Sequence, residues 1–181
     1  MITRESIPAI APHLEDATSV FNPGAIMIEG RYLLMLRVQS RGRETFLVMA
    51  ESPDGIEFDV RPELVHFRGI EQEKERIYHV YDPRITEIEG SYYVVFAADT
   101  DNGCRLGVAQ TRDFETFELV GLGRDRDIRN GVLLPERLGD RYVRLARPNT
   151  QHTRGEPISG DQIVLSESND LVRWKRVASV A

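Results

Sequence analysis

Apolar and polar positions alternate along this chain in short runs, and the helical signal is weak. Runs such as Tyr32-Leu-Leu-Met-Leu-Arg37, Phe46-Leu-Val-Met-Ala50 and Tyr92-Tyr-Val-Val-Phe96 are rich in β-branched, aromatic and other apolar residues, and polar or Gly-containing turns lie between them. Such a pattern predicts strands joined by tight turns.

The pattern repeats. Three segments share an alternating apolar strand, a polar turn with Asp, and an aromatic residue four positions after that Asp. They run from Phe46 to Asp54 with Phe58, from Leu106 to Asp113 with Phe117, and from Ile163 to Asp170 with Trp174. The three Asp residues are 59 and 57 positions apart. Ahead of each segment comes a strand, a Gly turn and an aromatic-rich strand: Gly30-Arg-Tyr32, Gly90-Ser-Tyr92 and Gly139-Asp-Arg-Tyr142. Gly between two alternating runs reads as a hairpin, because it takes φ > 0 without steric cost.

Each unit is thus four short antiparallel strands, which describes a propeller blade. Blades are expected over residues 15–62, 78–121 and 127–178 of a single domain. A β-sandwich also has short strands and regular turns, but the fixed period favours the propeller. The charge-rich run from Gly69 to Arg76 reads as a solvated connection between blades, with a helical turn as the alternative.

In a propeller the inner strands line the axis, so equivalent residues of different blades become neighbours. Phe21-Asn22-Pro23-Gly24 lies eight residues before Gly30 and Tyr81-Asp82-Pro83-Arg84 eight before Gly90. The third blade offers Ile128-Arg129-Asn130-Gly131. Asn, Asp and Arg at these strand starts predict a polar, charged cluster at one mouth of the channel, of the kind that binds sugars. Arg37 and Arg147 each fall five residues after a repeat Tyr, where the middle blade has Ala97. An Asx-Pro pair is also a common turn device, so Asn22 and Asp82 carry a structural reading beside the functional one. Asp113 and Asp170 recur with the repeat and read as turn residues; Asp54, followed by Gly55, leaves both readings open.

Composition narrows the function. Of 181 residues, 41% are apolar and 29% charged, enough for a globular core. The net charge of −6 argues against the basic face that nucleic acid needs, while the frequent Arg from 124 to 147 leaves room for a local anion site. No apolar run is long enough to span a bilayer, and Met1 to Leu14 lacks the pattern of a signal peptide, so a cytoplasmic protein is expected. Cys104 is the only cysteine, which leaves no intramolecular disulfide and no Cys-based metal cluster. His13, His66, His79 and His152 show no ligand spacing; His79 is a candidate for a pocket rim and the others read as surface. Gly121-Leu-Gly123 lacks the third Gly and the context of a dinucleotide loop. No metal and no cofactor are expected.

The chain resembles glycoside hydrolase family 130, the inverting mannoside phosphorylases and related β-mannosidases, which are five-bladed β-propellers. The carriers are Phe21-Asn-Pro-Gly24, Tyr32-Leu-Leu-Met-Leu-Arg37, Ser52-Pro-Asp-Gly55, Tyr81-Asp-Pro-Arg-Ile85, Tyr92-Tyr-Val-Val-Phe96, Arg129-Asn-Gly-Val-Leu-Leu-Pro-Glu-Arg137 and Leu145-Ala-Arg-Pro148. The resemblance implies Asp82 as catalytic acid and Asn22, Arg37 and Asp54 as holders of the mannosyl unit. It implies Arg129 and Arg147, with Arg105 a further candidate, as the grip on inorganic phosphate, the co-substrate. Two residues depart from the family pattern: Arg129 stands where a Lys is usual, and Ala146 where many members have His. Arg binds phosphate bidentately where Lys is a point charge, so the first change keeps an anion site with altered geometry. Three repeats are visible against the family's five, so two blades' worth of sequence is expected to be missing. An open propeller exposes sheet edges that favour oligomerisation.

One carboxylate with an Arg cluster suits phosphorolysis, because phosphate is already an anionic nucleophile; an inverting hydrolase needs a second carboxylate as base. The expected reaction is cleavage of a β-mannoside by phosphate to α-mannose 1-phosphate. A β-mannoside hydrolase and a non-catalytic sugar-binding propeller are the alternatives.

Overall fold

The structure is a computed structural model that describes residues 1–150, 158–160 and 162–180. It is all-β, built from three antiparallel sheets in chain order, each the blade of a propeller. The first contains β1 (Ala17–Ile28), β2 (Arg31–Ser40), β3 (Thr45–Ser52) and β4 (Asp59–Leu64), hydrogen-bonded in that order. A short β5 (Phe67–Arg68) and a 3-10 turn at Ile70–Gln72 make the connection over the charge-rich run. The second sheet is β6 (Ile77–Ile88), β7 (Ser91–Thr100), β8 (Gly103–Thr111) and β9 (Phe117–Leu122), with β5 added in parallel beside β9. The third is β10 (Ile128–Leu133), β11 (Tyr142–Thr150), β13 (Ile163–Ser168) and β14 (Lys175–Val180), with a two-residue β12 (Ile158–Ser159) paired to β11.

Turn chemistry sets the register. Glu29-Gly30 and Glu89-Gly90 both have φ > 0 at each residue, the two-residue hairpin whose twist matches that of the strands it joins. At the other turn of each repeat, Ser52, Thr111 or Ser168 accepts the N–H of the Asp two residues on and of the residue after it. Oδ1 of Asp54, Asp113 or Asp170 then accepts the next two N–H groups. The residue after each Asp is left-handed: Gly55 at φ 73°, Phe114 at 57°, Leu171 at 62°. Phe114 and Leu171 tolerate that strain because both are buried in the core.

Alternation explains the layering. On β2, Leu33 and Met35 face blade two, while Leu36 and Val38 face Leu14 and the N-terminal segment. The middle blade is covered on both faces: Val94, Phe96 and Ala98 pack on blade one, and Tyr93 and Val95 on blade three. Its strand therefore reads as an almost unbroken apolar run rather than as an alternating one. Gly107 is required there, since a Cβ would lie 2.3 Å from Phe96 Cζ.

Candidate active site

Each inner strand carries a bulge at the equivalent place. β1 pairs Phe21 with Arg37 and Gly24 with Met35, so Asn22 and Pro23 oppose one residue. β6 pairs Tyr81 with Ala97 and Arg84 with Val95, leaving Asp82 and Pro83 in the same position. On β10, Arg129 is the extra residue between Ile128 and Asn130. Bulges re-aim side chains and recur next to active sites. Asp82 is also left-handed, at φ 52° directly before Pro83, a conformation that costs about 1 kcal/mol or more for a non-Gly residue.

The bulges of blades one and two lie against each other. A Cβ on Gly24 would stand 2.9 Å from the Pro83 carbonyl oxygen, so only Gly allows this approach. Across the seam, Arg37 Nη1 donates to Asp82 Oδ1 at 2.8 Å, both side chains being about four-fifths buried. The Arg37 guanidinium contacts two rings, 4.5 Å from the Phe21 centroid and 4.8 Å from that of Tyr81. Tyr81 donates its hydroxyl proton to Asp99 Oδ1 at 2.8 Å and touches Cys104 Sγ at 3.4 Å. Burial pushes the Tyr81 phenol well above its ordinary pKa, with Cys104 and Asp99 adding to it.

Asp82 opens into a cleft of about 370 Å³ between blades two and three, whose other polar lining residues are Arg84, Asn130 and Arg147. Ala146 lies in the same lining. Among the described residues Arg147 and Arg129 have no ion pair, and the buried Arg129 Nε has no hydrogen-bond partner. Arg105 differs: it pairs with Glu75 at 3.0 Å and donates from Nε to the Gly123 carbonyl at 2.7 Å. The Arg105 hydrogen bond holds the Glu75 carboxyl below the usual carboxylate range. Arg105 is thus occupied and borders no part of the Asp82 cleft.

The structure brings Arg37, Asp82 and Arg147 to one region and sets Asn22 in the adjoining bulge, exposed to solvent. It does not bring Asp54 there. Ser52 pairs with Tyr32 and Leu47 with Arg37, so Asp54 follows a strand end about 16 Å along the sheet. Its carboxyl is held below the usual range by the N–H groups of Ile56 and Glu57. His79 and His66 line a separate cleft beside Tyr78 and Glu71. His13 packs near Phe46, and His152 lies outside the described residues. Sequence reasoning does not single out Phe21 and Tyr81 as partners of Arg37; the one trace is an aromatic residue before Asx-Pro in both repeats.

Three blades, with Asp82 the one described carboxylate of the cleft and several arginines near the inner-strand bulges, define a propeller with a polar, cationic site where its inner strands meet. A family model described as β-1,4-mannooligosaccharide phosphorylase matches residues 5–180, and the chain belongs to that family, glycoside hydrolase family 130. It is similar to the β-1,4-mannooligosaccharide phosphorylase of Ruminococcus albus, with 29% identity over 180 residues, 96% of this chain and 50% of the relative. It is also 32% identical over 149 residues to the 4-O-β-D-mannosyl-D-glucose phosphorylase of Bacteroides fragilis, 72% of this chain and 36% of that one. Among solved structures, the β-1,2-mannobiose phosphorylase of Listeria innocua in complex with β-1,2-mannobiose superposes with a TM-score of 0.77 at 19% identity. That match covers 96% of this chain and 62% of the other. The chain spans about half the length of the Ruminococcus relative.

Proposed function

We propose that this chain supplies the acid and part of the anion site of an inverting β-mannoside phosphorylase. The observation that carries the reading is the lining of the Asp82 cleft. Among its described residues Asp82 is the one carboxylate, and it shares the space with Arg84 and with Arg147, which makes no ion pair among the described residues. A hydrolase needs a second carboxylate to activate water; phosphate needs only cations to hold it. The phosphorylase names of the relatives point the same way.

In this reading Asp82 gives its proton to the glycosidic oxygen, directly or through a sugar hydroxyl. A phosphate oxygen held by Arg147 and Arg129 bonds to the anomeric carbon from the opposite face as the C–O bond to the leaving sugar breaks. The products are α-mannose 1-phosphate and the shortened saccharide. Arg37 and Asn22 hold the mannosyl unit, and inorganic phosphate is a co-substrate with no further cofactor. Dependence on free phosphate suits a cytoplasmic setting.

The test is to incubate the full-length protein with β-1,4- and β-1,2-linked mannosides, with and without phosphate, and to follow mannose 1-phosphate. Phosphate-dependent release that vanishes in Asp82→Asn supports the proposal. Release of free mannose without phosphate sinks it in favour of the hydrolase, and mannoside binding without turnover, unchanged in Asp82→Asn, leaves a sugar-binding propeller.

A further inference from the structure

We infer that Phe21 and Tyr81 are positioning residues: together they fix the plane of the Arg37 guanidinium, and through it the orientation of Asp82. The inference rests on the phosphorylase reading of the Asp82 cleft and adds to it two residues that act through Arg37.

The two rings occupy matching places. Each is the last paired residue before the bulge of its inner strand, Phe21 opposite Arg37 and Tyr81 opposite Ala97. Packing blade one on blade two brings both rings to one guanidinium, with Arg37 Cζ over each at 4.5 and 4.8 Å from the two centroids.

Contact with the two rings is the main restraint on this side chain besides its bond to Asp82. Arg37 makes one hydrogen bond, to Asp82, and its Nε is buried with no partner. Among the described residues no second carboxylate or carbonyl fixes the plane. A guanidinium held over two aromatic faces loses freedom to swing, so the Nη1 direction, and the Asp82 carboxylate that accepts from it, depend on the rings.

The two walls differ. Tyr81 is 6% exposed and anchored by its hydroxyl to Asp99 and Cys104, while Cys104 Sγ lies 3.5 Å from the Ile128 carbonyl oxygen of blade three. Phe21 is 37% exposed and has only its packing. Tyr81 is therefore the fixed wall, tied to blades two and three, and Phe21 the open one.

The experiment uses the full-length enzyme with Phe21→Leu, Phe21→Trp, Tyr81→Leu and Tyr81→Phe. Either Leu variant lowers kcat on a β-mannoside about tenfold while KM for phosphate stays within about twofold. Phe21→Trp and Tyr81→Phe, which keep a ring, retain kcat to within about threefold. In the unliganded protein the Arg37 Nε–H resonance, shifted upfield by two ring currents, moves back in both Leu variants. Phe21, the exposed wall, keeps the test decisive if Tyr81→Leu does not fold. Leu variants with unchanged kcat, or an Arg37 resonance indifferent to both substitutions, overturn the positioning role while phosphate-dependent turnover of the unaltered enzyme upholds the phosphorylase reading. Absence of that turnover overturns the reading and the role together.

Discussion

Arg37 and Asp82 stand 45 positions apart in the chain and in different blades, yet are joined by a 2.8 Å hydrogen bond at the seam between two inner strands. Neither sheet holds this pair alone. The contact exists because Gly24 lets the blade-one bulge approach the Pro83 backbone of blade two.

Asp82→Asn is expected to separate catalysis from folding. Asn tolerates left-handed backbone and still accepts a hydrogen bond from Arg37, so the thermal midpoint shifts by no more than a few degrees. Losing a general acid lowers phosphorolysis in the full-length protein by about 10²–10⁴-fold. Parallel calorimetry and mannose 1-phosphate assays check both halves.

Gly24→Ala should loosen the seam. The new methyl meets a backbone oxygen, which cannot swing aside as a side chain could. A cost of about 1–3 kcal/mol is expected, read as a lower urea midpoint, together with a fall in kcat as Arg37 and Asp82 part.

The arginines should divide into two groups. Arg147→Ala raises KM for phosphate with a smaller effect on KM for the mannoside, because Arg147 lines the Asp82 cleft. Arg105→Ala removes the ion pair to Glu75 and the hydrogen bond to Gly123 and lowers the urea midpoint, with KM for phosphate unchanged. Initial-rate kinetics with urea titration distinguish them.

Acid stability should depend on the repeated turns. Backbone N–H groups of Thr116 and Glu115 hold Asp113 at about 2, below the usual carboxylate pKa of 3.8. A lowered native pKa means that the unfolded chain binds the proton more readily. The stabilisation is full above about pH 4 and lost as pH falls towards about 2. Asp54 and Asp170 are shifted in the same direction. Asp113→Ala should therefore shrink the difference in urea midpoint between pH 5 and pH 3 without abolishing it.

The local sequence determined the strands, the glycine hairpins, the Asp turns and the repeat, because alternation, φ > 0 at Gly and short-range hydrogen bonds all act within a few residues. It also marked Asp82 and Asn22 as equivalent strand starts, since a repeat makes equivalence visible. Tertiary structure alone decided which of these residues meet. It set Arg37 on Asp82 against the rings of Phe21 and Tyr81, occupied Arg105 with Glu75, and carried Asp54 to the far end of its sheet. Those outcomes depend on how one blade packs on the next, a relationship between residues tens of positions apart that no local pattern encodes.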